Sequence, residues 1–337
     1  MGASLRDVAK LAGVSVKTVS NVVNEYAHVT EGTRRRVLHA IDELNYRPNP
    51  AARTLRRGRS GIIALALPEV GIPYFAELAG LIVDAAAERS WTVLIDQTGG
   101  LLERELQVSE GVRAHMLDGL IFSPIAMGPE ELAARRDDTA MVLLGERIFD
   151  GPADHVAIDN VAAARDATAH LVGLGRRRIA AIGDQRHVPA GRTAHQRLDG
   201  YRRALEEAGL PFDERLVLPA DEYHRTNGAE MMARLLATEH PPDAVLCFAD
   251  LIALGAMRTV LSAGCRVPED VALVGFDDIE DGRFSTPSLT TIRPDKQEIA
   301  RLAVSLLASR ISEDAGHPPR EVQAGYELVV RESTAGR

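Results

Sequence analysis

The stretch Leu5 to Asn24, Leu-Arg-Asp-Val-Ala-Lys-Leu-Ala-Gly-Val-Ser-Val-Lys-Thr-Val-Ser-Asn-Val-Val-Asn, constrains this chain more than any other. Leu5, Val8, Ala9 and Ala12 recur at i, i+3, i+4 and i+7, the spacing of one helix face. Gly13 can take a positive φ and end that helix. Ser15 is a natural N-cap for a second helix, whose buried face would be Val19, Val22 and Val23. Ala9 has a small side chain, so the second helix can cross it closely. The pattern is that of a helix-turn-helix. Val16, Lys17, Ser20 and Asn21 are left outward at the front of the second helix, the part that enters the DNA major groove in this motif.

An ordinary helical hairpin would show the same Ala-x-x-x-Gly spacing, and two features argue against it. A third helix is expected, N-capped by Thr30, with Val37, Leu38, Ile41 and Leu44 closing a three-helix core. Charge then separates the head from the body. Residues 1–59 hold 11 Lys+Arg against 5 Asp+Glu, a net of +6, whereas the 337-residue chain is −9 overall and the remainder therefore −15. A basic head on an acidic body implies a polyanionic partner for the head alone.

The 45% hydrophobic content is that of a globular protein. No apolar run approaches the roughly 18 residues of a membrane span, and the chain enters the helix-turn-helix almost at once, so no signal peptide is expected. Cys247 and Cys265 are too few for a disulfide framework or a zinc ribbon and read as small buried hydrophobes. A cytoplasmic protein is expected, nucleoid-associated when bound to DNA, with no metal or cofactor. Gly-x-Gly-x-x-Gly after a strand, a Walker loop, Gly-x-Ser-x-Gly and His-Glu-x-x-His are all missing, so an enzyme is not expected. His115, His170 and His195 read as surface or helix-face residues.

Tyr46-Arg-Pro-Asn-Pro50 breaks the third helix, because two prolines cannot continue it. The segment Ala51–Gly58 follows, with Arg53, Arg56 and Arg57 and one leucine, Leu55. As a DNA-contacting hinge it would set arginines against phosphates and Leu55 between base steps of the minor groove. From Gly61 the pattern becomes alternating strands and helices. Candidate strands are 62–67, 92–96, 119–122, 140–144 and 156–158, then 179–182, 217–219, 244–247 and 271–276. Helical patterns at 75–89, 162–174, 196–208 and 251–263 lie between them. Two such series predict two parallel-sheet lobes with a cleft at the strand C-termini. Asp96 and Tyr223 fall near those strand ends.

These residues together resemble the lactose/galactose-repressor family of bacterial transcription regulators over essentially the whole chain. The resemblance rests on Asp7-Val-Ala-Lys-Leu-Ala-Gly-Val-Ser15, Thr18-Val-Ser-Asn-Val-Val-Asn24, Tyr46-Arg-Pro-Asn49 and Ala52-Arg-Thr-Leu55. It continues through Pro73-Tyr-Phe-Ala-Glu77, Asp118-Gly-Leu-Ile121, Arg197-Leu-Asp-Gly-Tyr201, Val267-Pro-Glu-Asp-Val271, Val274-Gly-Phe-Asp-Asp278 and Leu328-Val-Val-Arg-Glu-Ser-Thr334. It implies an all-α helix-turn-helix head on an α/β core of two doubly wound parallel-sheet lobes, of periplasmic-binding-protein-like type. The domains would be a DNA-binding head at 1–48, a hinge helix or linker at 49–59 and an effector-binding and dimerisation core at 60–337. Three chain crossings near Asn160, Arg293 and Val322 would give an N-lobe of about 60–160 and 293–322 and a C-lobe of about 161–292 and 323–337.

The resemblance further implies a homodimer that binds a near-palindromic operator and a small-molecule effector, and no membrane. Val16, Lys17 and Asn21 would read bases, while Ser4, Ser15, Thr18, Ser20, Asn24 and Thr33 would contact phosphates. Leu55 matches the hinge leucine, with Ala52, Arg53 and Arg56 around it. Many relatives carry Arg at the position of Asn21, and Asn suits adenine better than guanine. Without a heptad tail after Thr334 the expected assembly stops at a dimer.

In the core, Tyr74 and Phe75 match an aromatic pair that stacks on effectors, and Arg147, Asp159, Arg197 and Asp277 match polar positions of the same cleft. Aromatic faces with Asp and Arg suit a sugar or similar polyol. Phe75 is equally readable as helix-start core, and Asp159 as the cap of the next helix. Ile72-Pro73 and Ala249-Asp250 replace the family's common Asn-Pro and Asn-Asp, which makes the cleft more apolar and leaves a non-sugar metabolite open. The expected function is repression relieved or promoted by a sugar-like effector. The alternatives are a corepressor-dependent regulator or an activator; the basic head argues against a sugar-transport component.

Overall fold

The computed structural model describes residues 3–23, 26, 28–46, 59–111, 116–145, 148–149, 151–185, 192–312 and 318–335. They fall into two compact units, Met1–Gly61 and Ile62–Arg337.

In the first unit, α1 (Leu5–Ala12) opens with a capping box. Asp7 N–H donates to Ser4 Oγ at 3.4 Å, and Ser4 N–H donates to Asp7 Oδ2 at 2.8 Å. The Ser4 hydrogen bonds hold the Asp7 carboxyl below its usual range. Gly13 ends the helix at φ 64°, the left-handed conformation a side chain resists. Thr18 N–H donates to Ser15 Oγ at 3.1 Å, starting α2 (Val16–Val23). With α3 (Glu31–Glu43) these helices close on Val8, Ala9, Ala12, Val19, Val22, Val37, Ala40 and Tyr46.

Two expectations change here. Leu38 is 47% exposed, because Val37, Ala40, Ile41 and Leu44 already form the i, i+3, i+4, i+7 stripe and Leu38 lies one residue off it. Thr30 stands at the N-cap of α3 without a bond to the helix backbone; its hydroxyl donates to Thr33 Oγ1 at 3.0 Å.

The second unit contains two six-stranded sheets. The first has β1 (Ile62–Leu67), β2 (Thr92–Gln97), β3 (Gly119–Phe122), β4 (Ala140–Leu144), β5 (Asp154–Ala157) and β11 (Glu321–Gln323) in the order β11-β5-β4-β3-β1-β2, all parallel. The second has β6 (Ile179–Asp184), β7 (Val217–Pro219), β8 (Ala244–Cys247), β9 (Ala272–Phe276), β10 (Thr290–Pro294) and β12 (Tyr326–Val329) in the order β12-β10-β9-β8-β6-β7. Only β12 runs antiparallel, against β10. Central strands such as β1 and β8 are continuous apolar runs because helices cover both faces. The chain passes from the first sheet to the second after β5, returns after β10 and crosses again after β11. Helix Lys296–Ser312, which follows β10, packs on the first sheet beside helix Pro73–Ala87.

β5 begins two residues before the strand expected from hydropathy. The cause is that the polar pair Asp154 and His155 is buried. The Asp154 carboxylate accepts from Arg310 Nε at 2.9 Å, Arg310 Nη2 at 2.8 Å and Arg320 N–H at 2.8 Å. Burial alone would raise its pKa, but these donors outweigh burial and hold it down to about 2. In the second lobe, helices Arg225–Leu236 and Asp250–Ser262 touch backbone to backbone at two glycines, one on each helix. A Cβ on Gly228 would lie 2.1 Å from the carbonyl oxygen of Ile252, and one on Gly255 would lie 1.9 Å from that of Arg225.

Two outcomes follow for stability. Gly255→Ala should lower the unfolding free energy read from urea titration by about 1–3 kcal/mol from overpacking, because the colliding groups are helix backbone. Asp154→Ala should cost about 3–5 kcal/mol at neutral pH, since it strands buried arginine charge. Because the folded carboxylate titrates near 2 and its unfolded form near 3.8, the contribution of Asp154 is complete above pH 4 and lost between 4 and 2. Denaturation curves of parent and variant should therefore draw closer by about 2 kcal/mol over that window, and a gap that stays constant down to pH 2 would contradict the assignment.

Candidate functional site

The front of α2 carries Val16 and Lys17 exposed, with Thr18, Ser20 and Asn21 half-buried beside them. Val19 and Val22 are anchored in the head core, so the outward set is fixed on a rigid helix. Ser4, Ser15 and Thr18 spend their hydroxyls on local caps: Ser4 with Asp7, and Ser15 Oγ with Thr18 Oγ1 at 2.9 Å. Arg34, Arg35 and Arg36 of α3 add positive charge to the same unit. Asn24, Ala52, Arg53, Leu55 and Arg56 lie outside the described residues.

In the core, a cleft of about 490 Å³ opens among the C-terminal ends of the strands, where doubly wound sheets present ligands. Tyr74 and Phe75 enter it from the first turn of helix Pro73–Ala87, their rings 5.3 Å apart and edge-to-face at 69°. Ile125 joins them because the buried carboxylate of Glu105 accepts the N–H groups of Ile125, Ala126 and Met127 at 2.8, 3.0 and 2.6 Å. The opposite wall carries Arg197, Tyr223 and Asp277. Arg197 is 7% exposed and tightly positioned. Its Nε donates to Asn160 Oδ1 at 2.7 Å, an Nη to the carbonyl of Phe248, and its guanidinium lies 3.5 Å over the Phe276 ring. Tyr223 donates its hydroxyl to the carbonyl of Gly183 at 2.9 Å. Asp277 adopts φ 119°, a conformation that L side chains rarely accept.

Two expected cleft residues stand elsewhere. Asp96 shares a strand face with Leu94 and lines a separate cavity with Arg104 and Arg135. Strand alternation is the reason, since its neighbour Gln97 is the β2 residue that reaches the cleft. Asp159 is the N-cap of helix Asn160–Gly173, accepting from Ala162 N–H at 2.9 Å, and is not among the cleft's lining residues. Arg147 lies outside the described residues. Ile72 and Ala249 both line the cavity, so the two family departures do add apolar surface there.

The cleft also has a polar rim of Glu69, Gln97, Gln185, Asp221, Glu222 and His224, which none of the sequence motifs singles out. Each follows or ends a strand, so the strand-end rule was the signal that finds them. His224 Nε2 of the second lobe stands 3.6 Å from the Glu69 carboxylate of the first. No helix among the described residues is long and apolar enough to cross a membrane.

Residues 4–49 match the family of bacterial regulatory proteins of lacI type, and residues 168–334 match a periplasmic binding protein-like domain. The HTH-type transcriptional repressor PurR of Aliivibrio fischeri is 32% identical over 339 residues, covering 99% of each chain. The lac repressor dimer bound to operator and the anti-inducer ONPF superposes with a TM-score of 0.85 at 27% identity, covering 99% of each chain. A complex of the transcriptional regulator CelR with cellobiose is 31% identical, with a TM-score of 0.71 over 98% of this chain and 99% of that one. With the head, the two lobes and their order along the chain all matched, this protein belongs to the lacI family of DNA-binding transcriptional regulators.

Proposed function

We propose that the chain is a repressor that binds a near-palindromic operator as a homodimer and is controlled by a sugar or sugar derivative held in the cleft. The observation that carries this reading is one polypeptide with two separate chemistries. A basic head offers an exposed helix front, and an acidic body offers an aromatic pair facing Arg197 and Asp277. Val16, Lys17 and Asn21 read base edges; Ser20, Thr33 and Asn24 touch phosphates, with Leu55 and its arginines at the hinge. The hydroxyls of Ser4, Ser15 and Thr18 already serve as caps, so any phosphate contact they make comes in addition to that duty.

A dimer is supported by the lac repressor assembly and by the apolar residues Leu94 and Ile95, 36% and 46% exposed on the edge strand β2. Two heads are also what operator affinities of about 10⁻⁸ to 10⁻¹¹ M require. The cleft supports a polyol through stacking on Tyr74 and Phe75 and charge-assisted bonds to Arg197 and Asp277. Ile72, Ala249 and Leu251 favour a ligand with an apolar part, such as a glycoside, over a bare monosaccharide. Control then works by population shift: an effector binding one core state about 100-fold better than the other contributes about 2.7 kcal/mol per site.

Selection of bound sequences from random DNA at fixed salt should recover one motif of two inverted half-sites, and recovery of two unrelated half-sites would contradict the docking. Lys17→Ala should lose about 1–3 kcal/mol at one or two base pairs of that motif. Asp277→Ala should leave operator binding intact and abolish its response to effector, with no change in unfolding free energy beyond about 1 kcal/mol. Light scattering at micromolar concentration should return twice the chain mass; a single mass would overturn the dimer.

A further inference from the structure

The aspartate on the cleft's second-lobe wall sits in a loop that the first lobe grips from outside the cavity. Lys296, the first residue of helix Lys296–Ser312, is 7% exposed and uses its ammonium three times. It donates to the Glu77 carboxylate, to the carbonyl of Asp277 at 2.9 Å and to the carbonyl of Asp278 at 3.1 Å. An ammonium has three protons, so this set satisfies it. Glu77 lies one turn beyond Tyr74 and Phe75 on helix Pro73–Ala87, and its other oxygen accepts the N–H of Glu280 at 3.2 Å. The Lys296 nitrogen also stands 5.9 Å from the centre of the Tyr74 ring. Both members of the ion pair thus belong to first-lobe helices, while three of the groups they hold belong to loop 277–280 of the second lobe.

That loop needs holding. Asp277 and Asp278 both have positive φ, 119° and 49°, which an aspartate does not adopt by preference. Asp278 is tied within its own lobe by Arg331 at 2.5 Å and Arg283 at 3.0 Å, and Ile279 N–H by Asp250 at 2.9 Å. The Lys296 bonds, together with the Glu77 bond to Glu280 N–H, reach the loop from across the lobes. We infer that Glu77 and Lys296 form an interlobe latch, and that Lys296 is the positioning residue that keeps the Asp277 turn aimed at the cleft. It lies outside the cleft lining, so it acts through Asp277, and its bearing on effector binding rests on the reading of the cleft given above.

Hydrogen exchange on the full-length chain without ligand tests the latch, comparing the parent with Glu77→Gln, Lys296→Met and the double variant. Amides of residues 277–282 and of the first turn of helix Pro73–Ala87 should exchange at least tenfold faster in either single variant. The double variant should be no faster than the faster single, because one interaction is being removed twice. Amides of β1 and β8 should stay within twofold of the parent. Acceleration spread evenly over both sheets would mean a generic buried ion pair and would overturn the latch, as would unchanged exchange at 277–282. Should Lys296→Met fail to fold, Glu77→Gln decides alone, since its amide oxygen can still accept from Glu280 while the charge and the acceptor facing Lys296 are lost. Failure of the cleft reading is distinguishable. It would appear as an Asp277→Ala variant with an unaltered effector response while the exchange pattern stands.

Discussion

A carboxylate buried beyond the reach of water must be answered by fixed donors, and the second lobe is organised around two of them. Asp250 starts helix Asp250–Ser262 and is fully buried. Its oxygens accept from Thr291 Oγ1 at 2.6 Å and Ile279 N–H at 2.9 Å, and burial, with Asp277 nearby, pushes its carboxyl well above the usual range. Gly275 is required beside it, since a Cβ there would fall 2.1 Å from the Asp250 oxygen. Asp278 is the second, pinned by Arg331 of the C-terminal segment. Ser333 of that segment accepts Thr290 N–H at 2.8 Å and donates to the Leu273 carbonyl at 2.7 Å. Helix start, β9 end, β10 start and chain end therefore meet at one polar knot, and the cleft aspartate emerges from it.

The consequence for the site is rigidity within each wall and adjustability between walls. Arg197 is clamped by Asn160, Phe248 and Phe276, and Glu105 clamps the Ile125 loop on the other side. Among the described residues, polar contacts join the walls at the cleft, Glu77 and Lys296 at the loop and His224 with Glu69 at the rim, beside an apolar core with residues from both lobes. Two stiff bodies joined by three chain crossings, with ionic contacts facing each other at the cleft, suit an element with two arrangements that a ligand can bias. The head follows a different logic. Its core is small and apolar, and its charge is exposed, which suits a polyanion that is met only at the surface.

Much of this was legible in the sequence, for physical reasons. The helix-turn-helix showed itself because a 3.6-residue apolar period, Gly13 and Ser15 are local signals that tertiary packing did not override. The strands showed themselves where both sheet faces are covered and the run is apolar, as in β1, β3 and β8. The misses have causes too. β5 starts on Asp154 and His155, polar residues buried by partners more than 150 positions away, which no local pattern encodes. Leu38 counted as core because it is apolar, though it sits one residue off the helix stripe. Asp96 was placed by its nearness to a strand end and Asp159 by its match to a family position, but strand alternation turned the first away and the second was taken by a helix N-terminus. Gln97, Gln185 and His224 went unread because a polar side chain after a strand carries no signal until the strand ends are brought together.

The central claim, that the basic head reads sequence and does not merely attract polyanions, is tested most directly by a specificity ratio. Binding of the full-length chain to the selected inverted-repeat site and to a scrambled duplex of equal length would be measured across a series of salt concentrations. Base reading predicts a preference of at least about 10³ for the selected site at moderate salt. It also predicts that the preference survives as salt rises, while both affinities fall. Equal affinities with the same salt slope would contradict it and leave the head as a nonspecific cationic surface.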